Sequence, residues 1–216
     1  MQLQLSRQTS PLGEMFIVTD ADRTLRSLDF HDYEPRMRRL LSRHYGTYEL
    51  TAGETPHLIS EALHAYFAGD LSAVEKLPTR TGGTEFQRLI WKALRGIAPG
   101  ETCSYGELAR RIGKPSASRA VGLANGANPI AIVVPCHRVI GSGGSLTGYG
   151  GGLPRKRWLL DHEKRHAATC AAKIRPSDSG APHPPDSACL HPQSNDGACH
   201  SHTTSSRDGS GGLDHV

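Results

Sequence analysis

The sequence predicts an α+β protein: a small N-terminal α/β domain, a mainly α-helical C-terminal domain with a helix-turn-helix unit, and a disordered C-terminal tail. Three observations predict this. Met1, Leu3 and Leu5 alternate with polar residues, as in a half-buried strand. Two later segments, beginning at Thr55 and Thr84, repeat apolar residues at helical spacing. From Ala167 to Val216 there is no Phe, Tyr or Trp, and Ser, Pro, Gly, Asp and His dominate. Such a stretch cannot bury enough apolar surface to offset the entropy of ordering. The boundaries fall at 1–80, 81–166 and 167–216.

Within the first domain, Gly13–Thr19 and Leu25–Phe30 flank the polar turn Asp20-Ala21-Asp22-Arg23-Thr24 and predict a hairpin. A helix can start at Thr55, with Pro56 in the first turn, where its missing N–H costs nothing. Leu58, Ile59, Ala62, Leu63, Tyr66 and Phe67 form its apolar stripe, and Gly69 ends it. Pro78–Gly83 (PTRTGG) is a linker by composition.

The next helix opens on a capping box, Thr84 with Gln87. It carries Phe86, Leu89, Ile90, Ala93, Leu94 and Ile97 on one face. Ser104 through Asn125 then has the grammar of two short helices. Ser104 and Glu107 form a second capping box, Leu108 and Ile112 point inward, and Gly113 terminates. Lys114-Pro115-Ser116 is the turn. The second helix places Ala117, Ala120, Val121 and Ala124 on its packed face and leaves Arg119, Gly122 and Leu123 exposed. An ordinary helical hairpin has the same pattern, so by itself it is only moderately specific for DNA.

Charge adds to that. Residues 84–165 hold 13 Lys/Arg against 5 Asp/Glu, whereas 1–83 hold 9 against 11 and 166–216 hold 3 against 5. A basic middle segment suits a polyanion, although a merely solvated basic surface has the same composition. No run approaches the roughly 18 apolar residues of a membrane span, and MQLQLSRQTS lacks the form of a secretory signal. The five scattered cysteines do not form a disulfide framework. These features predict a cytoplasmic location. The tail's Cys170, Cys189, Cys199, His200 and His202 lack paired metal-ligand spacing, so no metal is expected there.

The chemistry concentrates in NPIAIVVPCHRVIGSGGSLTGYGGG, residues 128–152. The apolar run Ile130–Val134 reads as a buried segment that Pro135 stops. Cys136 then follows a rigid residue and stands beside His137, an available base, and Arg138, a cation. A thiolate is the nucleophilic form of cysteine, and such neighbours lower a thiol's pKa. Successive residues of an extended chain face opposite ways, so His137 would act through a water or a local turn. The competing reading is an inert core cysteine.

Pro135-Cys136-His137-Arg138-Val139 resembles the signature of the O6-alkylguanine-DNA alkyltransferases. The similarity runs from about Thr84 to Glu163 and takes in SYGELA, SRAVG and Asn128-Pro129. Residues 1–83 resemble that family's N-terminal domain more loosely. The resemblance implies a ribonuclease H-like N-terminal domain and a winged-helix-like DNA-binding unit. It also implies irreversible transfer of one alkyl group from O6-alkylguanine in double-stranded DNA to Cys136, with O4-alkylthymine as a further candidate substrate. His137 would take the thiol proton through water and Glu163 would orient His137. Asn128 would hold the turn before the active-site loop. Tyr105 would crowd a phosphate and hydrogen-bond the leaving base. Arg119 would fill the space left by the flipped nucleotide, with Ser104, Ala120, Gly122 and Lys114 also against DNA.

Pro135, Val139, Tyr149 and Gly150 would line the base pocket by the same resemblance. Some relatives carry serine where this chain has Gly150, and its absence implies a wider pocket. No cofactor or metal is implied: residues 1–83 contain no cysteine for the zinc site of some relatives. The resemblance implies a monomer. Two other readings compete, a damage sensor of the same fold that transfers nothing and a cysteine hydrolase using Cys136 and His137. The first lacks the acceptor cysteine that this chain keeps; the second leaves the basic helical pair without a purpose.

Overall fold

The computed structural model describes residues 1–173. Strands β1 (Gln2–Ser10), β2 (Gly13–Thr19) and β3 (Leu25–Phe30) form an antiparallel meander, and β4 (Glu49–Ala52) adds in parallel to β1, giving the order β3-β2-β1-β4. The hairpin expected around Asp20–Thr24 is present. Asp20 Oδ1 accepts the N–H groups of Asp22 and Thr24, which organises the turn without a glycine.

A strand buried on both faces is apolar at every position rather than at alternate ones. Met15 to Val18 of β2 fits this. Phe16 and Val18 pack with Leu3 under Met37 and Leu41 of α1 (Glu34–Tyr45). Met15 and Ile17 face the other way, into the main core. That core receives Ile59, Leu63 and Tyr66 from α2 (His57–Ala68) and Ile90, Trp91 and Leu94 from α3 (Glu85–Leu94). It continues into Leu108 of α4 (Tyr105–Arg111), Val121 of α5 (Ser118–Gly126) and Leu159 of α6 (Leu153–Lys173). One apolar cluster therefore spans both sides of the PTRTGG segment. Short strands β5 (Cys103–Ser104) and β6 (Val139–Ile140) pair beside α4.

Several local expectations shift. The helix expected from Thr55 begins at His57, with Pro56 at its N-cap and Gly69 at its left-handed C-cap. Leu58 and Leu89 are exposed rather than in the apolar stripes, and Trp91 takes the core position. Ala120 is exposed, so the packed face of α5 is Val121, Ala124 and Asn125. Both capping boxes form as predicted. Helix α6 runs through the tail boundary expected at residue 167 and continues to Lys173. The tail beyond it, with Cys189, Cys199, His200 and His202, lies outside the described residues.

The free edge of β3 positions the chemistry. Leu28 N–H donates to the Pro129 carbonyl at 3.0 Å, and Ala131 N–H donates to the Leu28 carbonyl at 2.9 Å. Ser27 Oγ adds a bond to the same Pro129 carbonyl. The segment that leads to Cys136 is thus tied to the edge of the N-terminal sheet by a single bridge.

Candidate active site

Residues 128–138 form successive tight turns rather than an extended strand. Val133 N–H bonds the Ala131 carbonyl at 2.7 Å, closing a three-residue turn around Ile132, whose φ is +67°. A β-branched residue in the left-handed region is strained, and such strain persists where surroundings over-determine it. Here Asn128 does so. Its Nδ2 donates to the carbonyls of Val134 (2.8 Å) and Ile130 (3.3 Å), and its Oδ1 accepts from Ile130 N–H (3.0 Å). A second three-residue turn, Cys136 N–H to the Val134 carbonyl at 2.8 Å, centres on Pro135. Pro135 therefore aims Cys136 into a single 3-10 turn, Cys136–Arg138.

Cys136 is 6% exposed, and Asn125 Nδ2 donates to its carbonyl. His137 and Glu163 are fully buried. His137 Nε2 lies 2.9 Å from Glu163 Oε1. Its Nδ1, also buried, has no partner among the described residues and is the ring atom left to accept a proton. Burial lowers the His137 pKa, with Glu163 opposing, so the imidazole is neutral at neutral pH. Burial alone would raise Glu163, but His137 and Arg138 hold its carboxyl well below the usual range.

Arg138 differs from the sequence expectation. Its Nε and Nη2 donate to Glu163 at 2.9 and 2.8 Å, and Nη1 donates to the Ile97 carbonyl, so it neutralises the carboxylate rather than the thiol. Burial pushes the Cys136 thiol up, against Asn128, Arg36 and Lys156, which favour the thiolate. The cations acting on Cys136 are therefore Arg36 and Lys156, both distant in sequence. Lys156 is fully buried, donates to the Val139 and Thr147 carbonyls at 2.6 and 2.7 Å, and has its pKa lowered by burial to about 8. Tyr66, from α2, donates to Glu163 Oε1 at 2.8 Å.

The glycine-rich loop after β6 packs on the N-terminal half. A Cβ on Gly151 would fall 2.6 Å from the Phe30 ring, and one on Gly150 would fall 2.5 Å from Arg36 Cζ. The space expected to widen the pocket at Gly150 is thus filled by a guanidinium. Tyr149 is half-buried, its hydroxyl covered and without a partner among the described residues, and its ring stands edge-on to His137 at 6.4 Å. The Val139 side chain is in the core; its carbonyl, not its methyls, faces Lys156.

Arg119, Ala120 and Lys114 are exposed on the α4–α5 unit, and Ser104 and Gly122 are half-buried. Tyr105 starts α4; its hydroxyl accepts from Thr147 Oγ1 at 3.2 Å, and its ring borders Gly122. A cleft of about 760 Å³ runs along Ser104, Tyr105, Arg110, Ser118 and the Gly141–Gly144 turn; Cys136 does not line it.

A buried thiol beside a neutral imidazole and its ion-paired carboxylate can act as a nucleophile once its proton has a path to His137. The family model for the DNA-binding domain of 6-O-methylguanine DNA methyltransferase matches residues 85–165. A methylated-DNA–protein-cysteine methyltransferase of Shigella flexneri is 49% identical over 165 residues, 76% of this chain and 96% of the relative. The Salmonella typhimurium protein of that name is 50% identical over the same shares. The structure of Mycobacterium tuberculosis OGT in complex with DNA superposes with a TM-score of 0.63 at 42% identity, covering 77% of this chain and 94% of that one.

Proposed function

This chain belongs to the methylated-DNA–protein-cysteine methyltransferases, and on that premise we propose how its own residues move an alkyl group from O6-alkylguanine in DNA to Cys136. The observation that carries the reading is the buried Cys136 on the turn that also holds His137, with His137 bonded to Glu163.

The alkyl carbon is attacked in line by Cys136 sulfur. The S–C bond forms, the C–O6 bond breaks, and its electron pair passes to the guanine. The thiol proton leaves through a water to His137 Nδ1, while Glu163 holds Nε2 and compensates the charge, the logic of a triad applied to a thiol. Neutral His137 and its unpartnered Nδ1 support this assignment. Asn128 keeps the strained turn in register. Tyr105 crowds a phosphate and hydrogen-bonds the leaving base, and Tyr149 lies against the flipped guanine, with Pro135, Gly150 and the backbone of Val139 completing the pocket.

The target sits inside the duplex, so the nucleotide must rotate out at a cost of a few kcal/mol. Arg119, exposed on α5, enters the stack in its place. Ser104, Ala120, Gly122 and Lys114 lie against the backbone, and the cleft along α4 is the phosphate track. The β3-β2-β1-β4 order supports a ribonuclease H-like N-terminal half, and the β5–β6 pair beside α4 and α5 supports a winged-helix-like unit. Among the described residues Cys103 and Cys136 are buried and free, which suits a reducing cytoplasm, and the protein acts as a monomer.

The product is a thioether that water does not reverse, so each chain reacts once. Titration of an excess of O6-methylguanine duplex should remove one lesion per chain and then stop. Continued loss of lesion would mean turnover, and no loss would favour a sensor that binds without transfer.

A further inference from the structure

Arg36 belongs to α1, in the half of the chain where the sequence shows no chemistry, yet its guanidinium is fixed on the Asn128 turn that leads to the reacting cysteine. Nη1 pairs with Asp29 Oδ2, and Nη2 donates to the carbonyls of Gly126 and Asn128, each at 2.9 Å. Asp29 is 1% exposed and Arg36 15%. The partners come from β3, from the end of α5 and from the Asn128 hinge, so three elements set one position.

That position has a consequence for Gly150. A Cβ there would lie 2.5 Å from Arg36 Cζ, 2.6 Å from Nη2 and 2.8 Å from Nε. The far end of an arginine can usually swing aside; this one is anchored on three sides. The guanidinium therefore occupies the volume that a side chain at residue 150 would take. A guanidinium has five N–H donors, and Arg36 spends three. Its Nε–H and one Nη1–H make no hydrogen bond among the described residues.

We propose that Arg36 is the donor of the pocket wall: one of its unspent N–H groups hydrogen-bonds the alkylated O6, in place of a residue-150 side chain, and stabilises the charge that develops on the guanine. The assignment rests on reading Cys136 as the acceptor and Gly150 as pocket wall. As the C–O6 bond breaks, its electron pair enters the purine, and a fixed cation facing that oxygen is worth more in the transition state than in the ground state. No proton moves to or from Arg36. The same guanidinium acts electrostatically on both Cys136 and Tyr149.

The test is a double-variant cycle with single-turnover methyl transfer from an O6-methylguanine duplex. Arg36→Ala should slow transfer about 100- to 1000-fold, the range for losing one preorganised donor, with affinity for unmodified duplex unchanged. Gly150→Ser alone should also slow transfer, because its Cβ collides with the anchored guanidinium. Combined, the two should transfer faster than Arg36→Ala, because the serine hydroxyl then enters the vacated space and restores a donor. A purely structural clamp gives no such rescue.

Transfer by Arg36→Ala at the parent rate, or a combined variant no faster than Arg36→Ala, would overturn the assignment. If Arg36→Ala fails to fold, Arg36→Met with Asp29→Asn leaves no unpaired buried carboxylate and enters the same cycle. The parent protein separates the two levels: no methyl on the parent sinks the acceptor reading itself, whereas a transferring parent with the wrong cycle sinks only the role of Arg36.

Discussion

At His137 the direction of the pKa shift becomes a measurable pH dependence. Burial lowers this group from 6.5, so the unfolded chain takes up the proton before the folded one does. Its contribution to stability is therefore present above about 6.5 and declines as pH falls through and below that value. Single-turnover transfer should hold its plateau at pH 6.5 and fall only on the acid side, as the imidazole loses its capacity to accept the thiol proton. A rate that already halves at pH 6.5 or above, with the protein folded, would mean that a different base is used. Lys156→Met supplies a second test. It leaves the Val139 and Thr147 carbonyls without their donor, which should cost on the order of 1–3 kcal/mol in urea unfolding.

Among these residues, Cys136 and His137 are legible because they are adjacent in sequence, whereas Asn128 and Glu163 come only from the family resemblance. Arg36, Asp29, Tyr66 and Lys156 are not legible. Arg36 and Tyr66 reach the site from elements 92 and 97 residues away from their partners Asn128 and Glu163, and no local spacing encodes such a meeting. Adjacency points Arg138 at the thiol, but the turn at Cys136–Arg138 rotates it onto Glu163 instead.

The turns of residues 128–138 work as one element, and Asn128 is the side chain that closes them. Asn128→Ala should destabilise by about 1–3 kcal/mol, since buried carbonyls lose a donor. It should also slow methyl transfer by releasing the strained backbone at Ile132. A variant as stable and as fast as the parent would show that the turns hold themselves. Elements with complete local signals, such as the two capping boxes and the β2–β3 hairpin, were legible in the sequence. Helix α1 was not, because Arg36, Arg38, Arg39 and Arg43 interrupt the stripe of Met37, Leu40 and Leu41. Strand β4 has only four residues, mostly exposed, and its pairing with β1 defines it. Ala120 lies on the exposed face rather than the expected packed one because alanine's small side chain suits either face of a helix.

Over the whole molecule, composition separated an N-terminal half from a C-terminal half, but the core does not observe that division. Leu28 is paired with the segment before Cys136, and Tyr66 supports Glu163. Both tryptophans, Trp91 and Trp158, lie in the C-terminal half. Leu28→Ala should remove about 2–5 kcal/mol and shift the unfolding midpoint read by tryptophan fluorescence as far as that read by circular dichroism. A fluorescence midpoint that stays in place would mean that the halves unfold independently. Charge also acts at this scale. With 13 Lys/Arg against 5 Asp/Glu in residues 84–165, DNA affinity should fall steeply with salt as counterions are released. A flat response would contradict backbone-led binding.

The most direct measurement mixes the protein with a duplex holding one O6-methylguanine whose methyl is isotopically labelled, then maps the label by peptide mass spectrometry beside Cys136→Ala. The account predicts label on Cys136 alone, saturating at one methyl per chain and absent from the variant. Label on another residue, or lesion binding with no label gained, would contradict it.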